Sequence, residues 1–327
     1  MPMPTLLPHD LDAHVVASGF LGEAVVQALG DGRVVIRDGE TARVVEAHDG
    51  GLLAVRFSAD GRSLVSSGDD GRVVRITSDG AVEVLFEKTG KWLDQLAEGP
   101  GGAIACAAGR TAWVRLVTGE VKEFAHEKAV GGVCFLPKGL RLATATTDKA
   151  MLHWVTAAGA PVDMPWKGAH TGITTSPDGK FLVTTMQEPA LHGWRIDDMK
   201  HMRMTGYPSK VKSISWSAKG RFLATSGANA AILWPFLTKD GPMGKNPLQL
   251  GPRDRIVTQV ACHPSEDVVA IGYDDGMILA VRFGDAAEVL LRKPGAAPLS
   301  GLAWDRAGVR VAYGAETGEA GVIDIRG

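Results

Sequence analysis

The sequence predicts an all-β fold: an eight-bladed β-propeller of four-stranded antiparallel blades, forming one domain over residues 1–327. Three observations predict it. First, alternating apolar residues run into a tight Gly turn, then a second apolar strand, an acidic turn and a third strand, and this pattern returns eight times. The turn between the first two strands falls near Gly22, Gly61, Gly101, Gly139, Gly179, Gly220, Glu266 and Gly308, in steps of 39, 40, 38, 40, 41, 46 and 42 residues. A period of about 40–45 residues is that of a four-stranded propeller blade. Second, the turn residues are closely spaced, which specifies antiparallel hairpins. Third, the last unit is one strand short, and the other terminus offers a spare one.

The second unit is the clearest. Its strands are expected at Leu53–Phe57, Ser63–Ser67, Val73–Thr77 and Val82–Phe86, separated by Ala59-Asp60-Gly61, Asp69-Asp70-Gly71 and Ser78-Asp79-Gly80. Shifted back by 39 residues, Leu52–Thr77 lies on Ala13–Asp38 without a gap. The first strand of the first unit, His14–Ser18, keeps the period but lacks the aromatic that Phe57 supplies in the next copy. Seven blades is therefore the alternative count. The last unit supplies Leu299–Trp304, Val309–Tyr313 and Gly321–Arg326. The same shift places Thr5–Pro8 on Arg43–Ala47, so the N-terminal segment is expected to pair with the last blade and close the ring. Closure removes an exposed sheet edge, and Pro4 and Pro8 suit an outermost strand, where one side needs no donor.

The composition is that of a globular chain, 45% apolar and 22% charged. A net charge of −2 gives no general pull toward nucleic acid or anionic membrane. The cysteines, Cys106, Cys134 and Cys262, form no CxxC pair, so no zinc or redox site is readable. The N-terminus lacks the basic start and apolar run of a signal peptide. No stretch of 18 apolar residues occurs. A reducing cytoplasm is the expected location, and a monomer the expected state.

Phe57-Ser58-Ala59-Asp60-Gly61, Thr175-Ser176-Pro177-Asp178-Gly179 and Trp216-Ser217-Ala218-Lys219-Gly220 resemble the FSPDG turn of WD40 repeats. The likeness spans essentially the whole chain, though each copy is degenerate and none ends in an intact Trp-Asp. The resemblance implies a buried hydrogen-bond chain from a His before the first strand, through a Ser or Thr, to a Trp in the third strand, with an Asp in the intervening turn. The fourth unit carries the full set, His126, Thr144 (or Thr146), Asp148 and Trp154. The second has His48, Ser66 and Asp70 but Ile76 in place of Trp. By the same likeness these residues are structural rather than a catalytic triad, which would need an exposed nucleophile beside its base.

Other motifs carry less. Gly241-Pro242-Met243-Gly244-Lys245 fails as a P-loop, since Lys239 and Asn246 stand where Gly and Ser or Thr are required. The segment 235–254 makes the longest step, and its loop, with Phe236, Lys239, Met243 and Lys245, is a candidate docking loop on the lower rim. Residues 195–221 hold seven Lys or Arg against two Asp, which strand alternation should scatter over different faces. Met199–Met204 offers sulfur and imidazole, but alternating Met on an outer strand reads as packing; no metal and no cofactor are expected.

The expected role is a non-catalytic protein-interaction scaffold whose partner is a protein of unread identity. Aromatic and Arg residues dominate interface hot spots, so the candidate surface on the upper loops is Trp92, Trp166, Tyr207, Lys210, Arg253 and Arg255. A second reading rests on the likeness of Trp234-Pro235-Phe236 with residues 241–245 to a bacterial subgroup. It makes the chain an accessory factor in zinc homeostasis beside a metallochaperone GTPase. A third, an enzyme using the central channel, is disfavoured because the inner strands read as mainly apolar.

Overall fold

A computed structural model describes residues 5–295 and 297–326. Within them the chain is a β-propeller built from up-and-down antiparallel sheets. The second unit shows why the sequence folds this way. Its strands are Leu52–Phe57, Ser63–Gly68, Arg72–Thr77 and Val82–Glu87. The first turn needs a left-handed residue, and Gly61 supplies it at φ 69°. There the Ser58 hydroxyl donates to Asp60 at 2.6 Å, and Asp60 accepts from the Arg62 backbone N–H at 3.0 Å. Such local bonds stabilise a turn against competing extended conformations.

The meander sorts the connections onto two faces. Turns joining first to second and third to fourth strands lie on the lower face. Turns joining second to third strands, and the links between sheets, lie on the upper face. First strands line the centre of the ring. Five of these inner strands carry a register shift near their start, at Val15/Ala17, Leu52/Ala54, His170/Gly172, Val257/Gln259 and Leu299/Gly301. A bulge of this kind bends a strand and re-aims its side chains.

The expectation of eight separate four-stranded blades is corrected. Among the described residues there are seven sheets, six four-stranded and one six-stranded, so seven is the count that the sheet hydrogen bonding gives. The six-stranded sheet takes in the fourth and fifth sequence units. Its strands Arg141–Trp154 and Val162–Thr175 are each 14 residues long. They are stitched where Thr147, at the corner of the first, pairs with Ala169 in the second. No loop intervenes between the outer strand of one unit and the inner strand of the next. Gly131 permits the close approach: a Cβ there would meet the His170 carbonyl oxygen at 2.1 Å.

The ring closes through its termini. Thr5–Asp10 pairs antiparallel with Glu319–Asp324, Thr5 opposite Asp324 and Asp10 opposite Glu319. The last sheet therefore runs 5–10, 319–324, 310–315, 299–304, with Pro8 on the outermost strand; Pro4 lies outside the described residues. The seam is packed by Val15, Leu29, Val35 and Ala320, and by Phe20, Val25, Ala312 and Val322. Elsewhere each hydrophobic cluster is likewise shared by adjoining units. Val26, Val34 and Ile36 of the first unit, for example, pack with Val55, Leu64 and Ile76 of the second. Each such fully buried aliphatic side chain contributes about 1.5–3 kcal/mol.

The cysteines are free, and burial raises each thiol to about 12. No helix of the described residues is long and apolar enough to cross a membrane.

Candidate functional site

The upper face holds the polar chains that tie one strand of a unit to the next. In the fourth unit His126 Nε2 lies 2.9 Å from Thr144 Oγ1. Thr144 Oγ1 in turn lies 3.0 Å from His153 Nε2, not from an indole. Trp154, proposed for that place, is 42% exposed, with the Arg141 guanidinium 4.4 Å from its ring centre. Asp148 stands outside the chain, accepting from Lys128 Nζ at 2.6 Å and the Gly168 N–H at 3.0 Å. The register shift between Thr147 and Lys149 moves the inward position from Trp154 to His153. Burial, reinforced by His126, holds His153 down at about 4, so it is neutral at pH 7. His126 Nδ1 donates to the Phe124 carbonyl, which leaves its Nε2 to accept from the Thr144 hydroxyl, and His153 Nε2–H donates to Thr144.

The second unit has the tighter arrangement. His48 Nδ1 faces Asp70 at 3.1 Å and its Nε2 faces Ser66 Oγ at 2.9 Å. Asp70 also accepts from the Arg72 backbone N–H at 3.0 Å and Arg72 Nε at 2.9 Å. The hydroxyl that a triad would use is wholly buried, as Ser66 is 0% exposed, so this geometry braces strands and offers no nucleophile. The fifth unit uses His170, 2.8 Å from Thr184 Oγ1, beside the buried Trp194. The sixth replaces His with Tyr207, whose hydroxyl accepts from Trp234 Nε1 at 2.6 Å and lies 2.7 Å from Thr225 Oγ1.

The six candidate interaction residues are not all surface residues. Trp92 is 71% exposed on the link between Glu87 and Gln95. Lys210 and Arg255 are exposed, and Arg255 lies 3.7 Å from Asp275. Arg253 is engaged with Glu288. Trp166 is half-buried and stacked on His192, centroids 3.8 Å apart. Tyr207 is corrected from surface to core, since it takes the structural place that a His fills in other units. That substitution was readable from its position before a first strand with Thr225 and Trp234 following at the usual spacing.

The candidate docking loop is folded back on the lower face. Phe236 is buried edge-on against Phe181 and Trp216, at 5.0 and 4.7 Å between centroids. Met243 packs against the same cluster. Lys245 Nζ donates to Thr238 Oγ1 at 2.9 Å, and Arg195 clamps the loop through the Lys239 carbonyl and Asp240, both at 2.8 Å. Lys239 remains exposed. The basic run 195–221 is dispersed: Arg195 is paired with Asp198 and Asp240, Lys210 is on the upper face and Lys212 lines the lumen. Met202 and Met204 are buried while His201 and Arg203 alternate outward. Among the described residues no group of three or more His, Cys, Asp or Glu is placed to hold a metal.

The lumen is more polar than the inner strands suggest as text. About 1280 Å3 of open volume is bordered by Arg56, Thr171, Lys212, Ser213, Gln259 and Ser300, besides apolar Val16 and Ile173. Alternation explains the difference in part: Val55 turns away from the lumen to pack against a neighbouring sheet, while others such as Ile173 face the lumen. Arg56 was not among the sequence candidates, although its place next to inward-packed Val55 on a first strand was the available signal.

Comparison with known proteins agrees with this architecture. Residues 39–74 and 200–234 match the WD domain, G-beta repeat family. The fold is similar to that of the computationally designed Ika8 protein, with TM-score 0.80 and 17% identity over 97% of this chain and 98% of that one. It is also similar to the WD40 repeats of RRP9, with TM-score 0.63 and 14% identity over 86% of this chain and 96% of that one. At these identities the likeness shows the fold alone. No curated protein matches the chain in sequence.

Proposed function

We propose that this WD40-repeat β-propeller is a non-catalytic scaffold that docks a protein partner on its upper face. WD40 propellers are in general protein-interaction scaffolds. The observation that carries the reading is Trp92, with 71% of its surface in water on a link anchored at both ends by strands. Large aromatic side chains held on a rigid frame bury much area at little entropic cost when a partner covers them. Lys91 beside it, and Lys210 and Arg255 on the same face, are exposed and would form a polar rim. The buried His–hydroxyl chains beneath hold the links in place without taking part in chemistry.

The test is affinity capture from the native cell with the wild type and Trp92→Ala, Lys210→Ala and Arg255→Ala variants, followed by titration of the captured protein. A partner whose affinity falls at least about tenfold with Trp92→Ala, about 1.4 kcal/mol, supports the reading. A partner bound equally by all three variants removes the upper face from consideration.

A further inference from the structure

Arg56 sits fifth in the inner strand Leu52–Phe57 and borders the central lumen. Its Nη1 donates to the Val55 carbonyl at 2.7 Å, which engages one of the five N–H donors of a guanidinium. Among the described residues Arg56 forms no ion pair, and the titratable group near it is the neutral thiol of Cys134. Several other arginines of the ring are paired instead. Arg72 pairs with Asp70, Arg195 with Asp198, Arg292 with Glu319 and Arg310 with Asp305.

Of the acids that border the lumen, Asp60 is tied into its own turn by Ser58 and Arg62. Burial raises the Glu98 carboxyl pKa, which favours its neutral form, and one of its oxygens has no partner among the described residues. The surrounding protein lowers the Arg56 guanidinium pKa, yet an arginine stays charged in a protein, and its side chain is exposed to the lumen, where its free donors are open to a ligand. The lining also offers the hydroxyl and amide groups of Thr171, Ser213, Gln259 and Ser300 beside apolar Val16 and Ile173, and two further cations, Lys212 and Arg75, the latter paired with Glu83. The volume, about 1280 Å3, exceeds the roughly 300–1,000 Å3 typical of small-molecule pockets.

We propose that the central lumen binds a small oxyanion, a phosphate- or carboxylate-bearing molecule, through the free guanidinium fork of Arg56. The planar fork donates two parallel N–H···O bonds to either anion. The neutral hydroxyl and amide groups satisfy the rest of a polar ligand, and Lys212 draws an anion toward the lumen. This site is separate from the docking face.

Calorimetric titration of the full chain at low ionic strength, once with inorganic phosphate and once with succinate, tests the proposal. We expect saturable binding of at least one probe, weakened at least about tenfold by Arg56→Gln. Arg203→Gln, on an outer strand, and Trp92→Ala should bind as the wild type does. Thermal melting supplies a second measurement. Without anion, Arg56→Gln should melt no lower than the wild type, because an unpaired charge is removed; added anion should raise the melting temperature of the wild type only. Binding of phosphate alone assigns a phosphate-bearing ligand, and of succinate alone a carboxylate. Saturable binding of neither, or equal binding by Arg56→Gln, overturns the site.

Discussion

Replacing Asp70 by Asn removes one charge and leaves the shape of the second unit intact. The Asp70 side chain is only 9% exposed. Burial alone would raise its pKa, but the Arg72 backbone N–H, the His48 ring and the Arg72 guanidinium together bring it from 3.8 down to about 2. Taken at face value, such a shift corresponds to about 2.4 kcal/mol at about 1.36 kcal/mol per pH unit. Asp49 beside it is 87% exposed, and solvent at this rim screens the charges, so about 1–2 kcal/mol is the expected loss. The sign follows from linkage. A carboxylate whose folded pKa lies below its unfolded value contributes fully above about 3.8 and loses that contribution as pH falls through about 2.

His48 contributes in the same direction. Burial outweighs the pull of Asp70 and lowers its pKa below 6.5. Keeping the ring neutral therefore costs stability progressively below that value, and more so in the variant, which lacks the pull of Asp70. Urea unfolding of both proteins from pH 8 to pH 3 is the assay. The gap between wild type and Asp70→Asn should be at least about 1–2 kcal/mol down to about pH 5 and narrow below about pH 4. A gap below about 0.5 kcal/mol at pH 7, or one that stays constant to pH 3, refutes the account of Asp70 as a charged brace.

Tyr207→Phe should cost about 1–3 kcal/mol in the same assay, since it leaves the buried Trp234 Nε1–H and Thr225 Oγ1 short of a partner; an unchanged midpoint would show that Tyr207 is not the sixth unit's brace. Thr144→Val should destabilise more than Trp154→Ala, because Thr144 is fully buried between two imidazoles while Trp154 lies largely at the surface. The reverse order by thermal melting would restore Trp154 to the hydrogen-bond chain. Removing residues 1–10 bares the edge of Glu319–Asp324, so light scattering should detect self-association that the full chain lacks; equal behaviour of the two would mean that the terminal strand does not protect this edge.

The period, the turns and the borrowed terminal strand could be read because each depends on nearest-neighbour chemistry. Gly61 at a left-handed corner, Asp60 accepting from the next N–H and the alternation around Val55 are local facts. The polar chains were legible only in part. His48 with Ser66 and His126 with Thr144 follow the repeat, while Tyr207 hides the pattern behind a different residue type. His153 stands where Trp154 was expected because the strand turns a corner at Thr147–Lys149, where its register with the next strand jumps. Phe236 looked exposed in the text of a Pro- and Gly-rich loop, but Phe181 and Trp216, distant in sequence, cover it.

By itself, then, the amino-acid order determined a ring of repeated antiparallel units and which terminus completes its last sheet, since backbone pairing follows from local alternation and turn geometry. Tertiary structure alone decided how the hydrogen bonding partitions that ring. Thr147 meets Ala169 across two units and merges them into one six-stranded sheet, so seven sheets result. It also decided which charges are neutralised. Arg195 finds Asp240 across 45 residues, whereas among the described residues Arg56 forms no ion pair, because charge pairing depends on distances in space that no repeat period encodes.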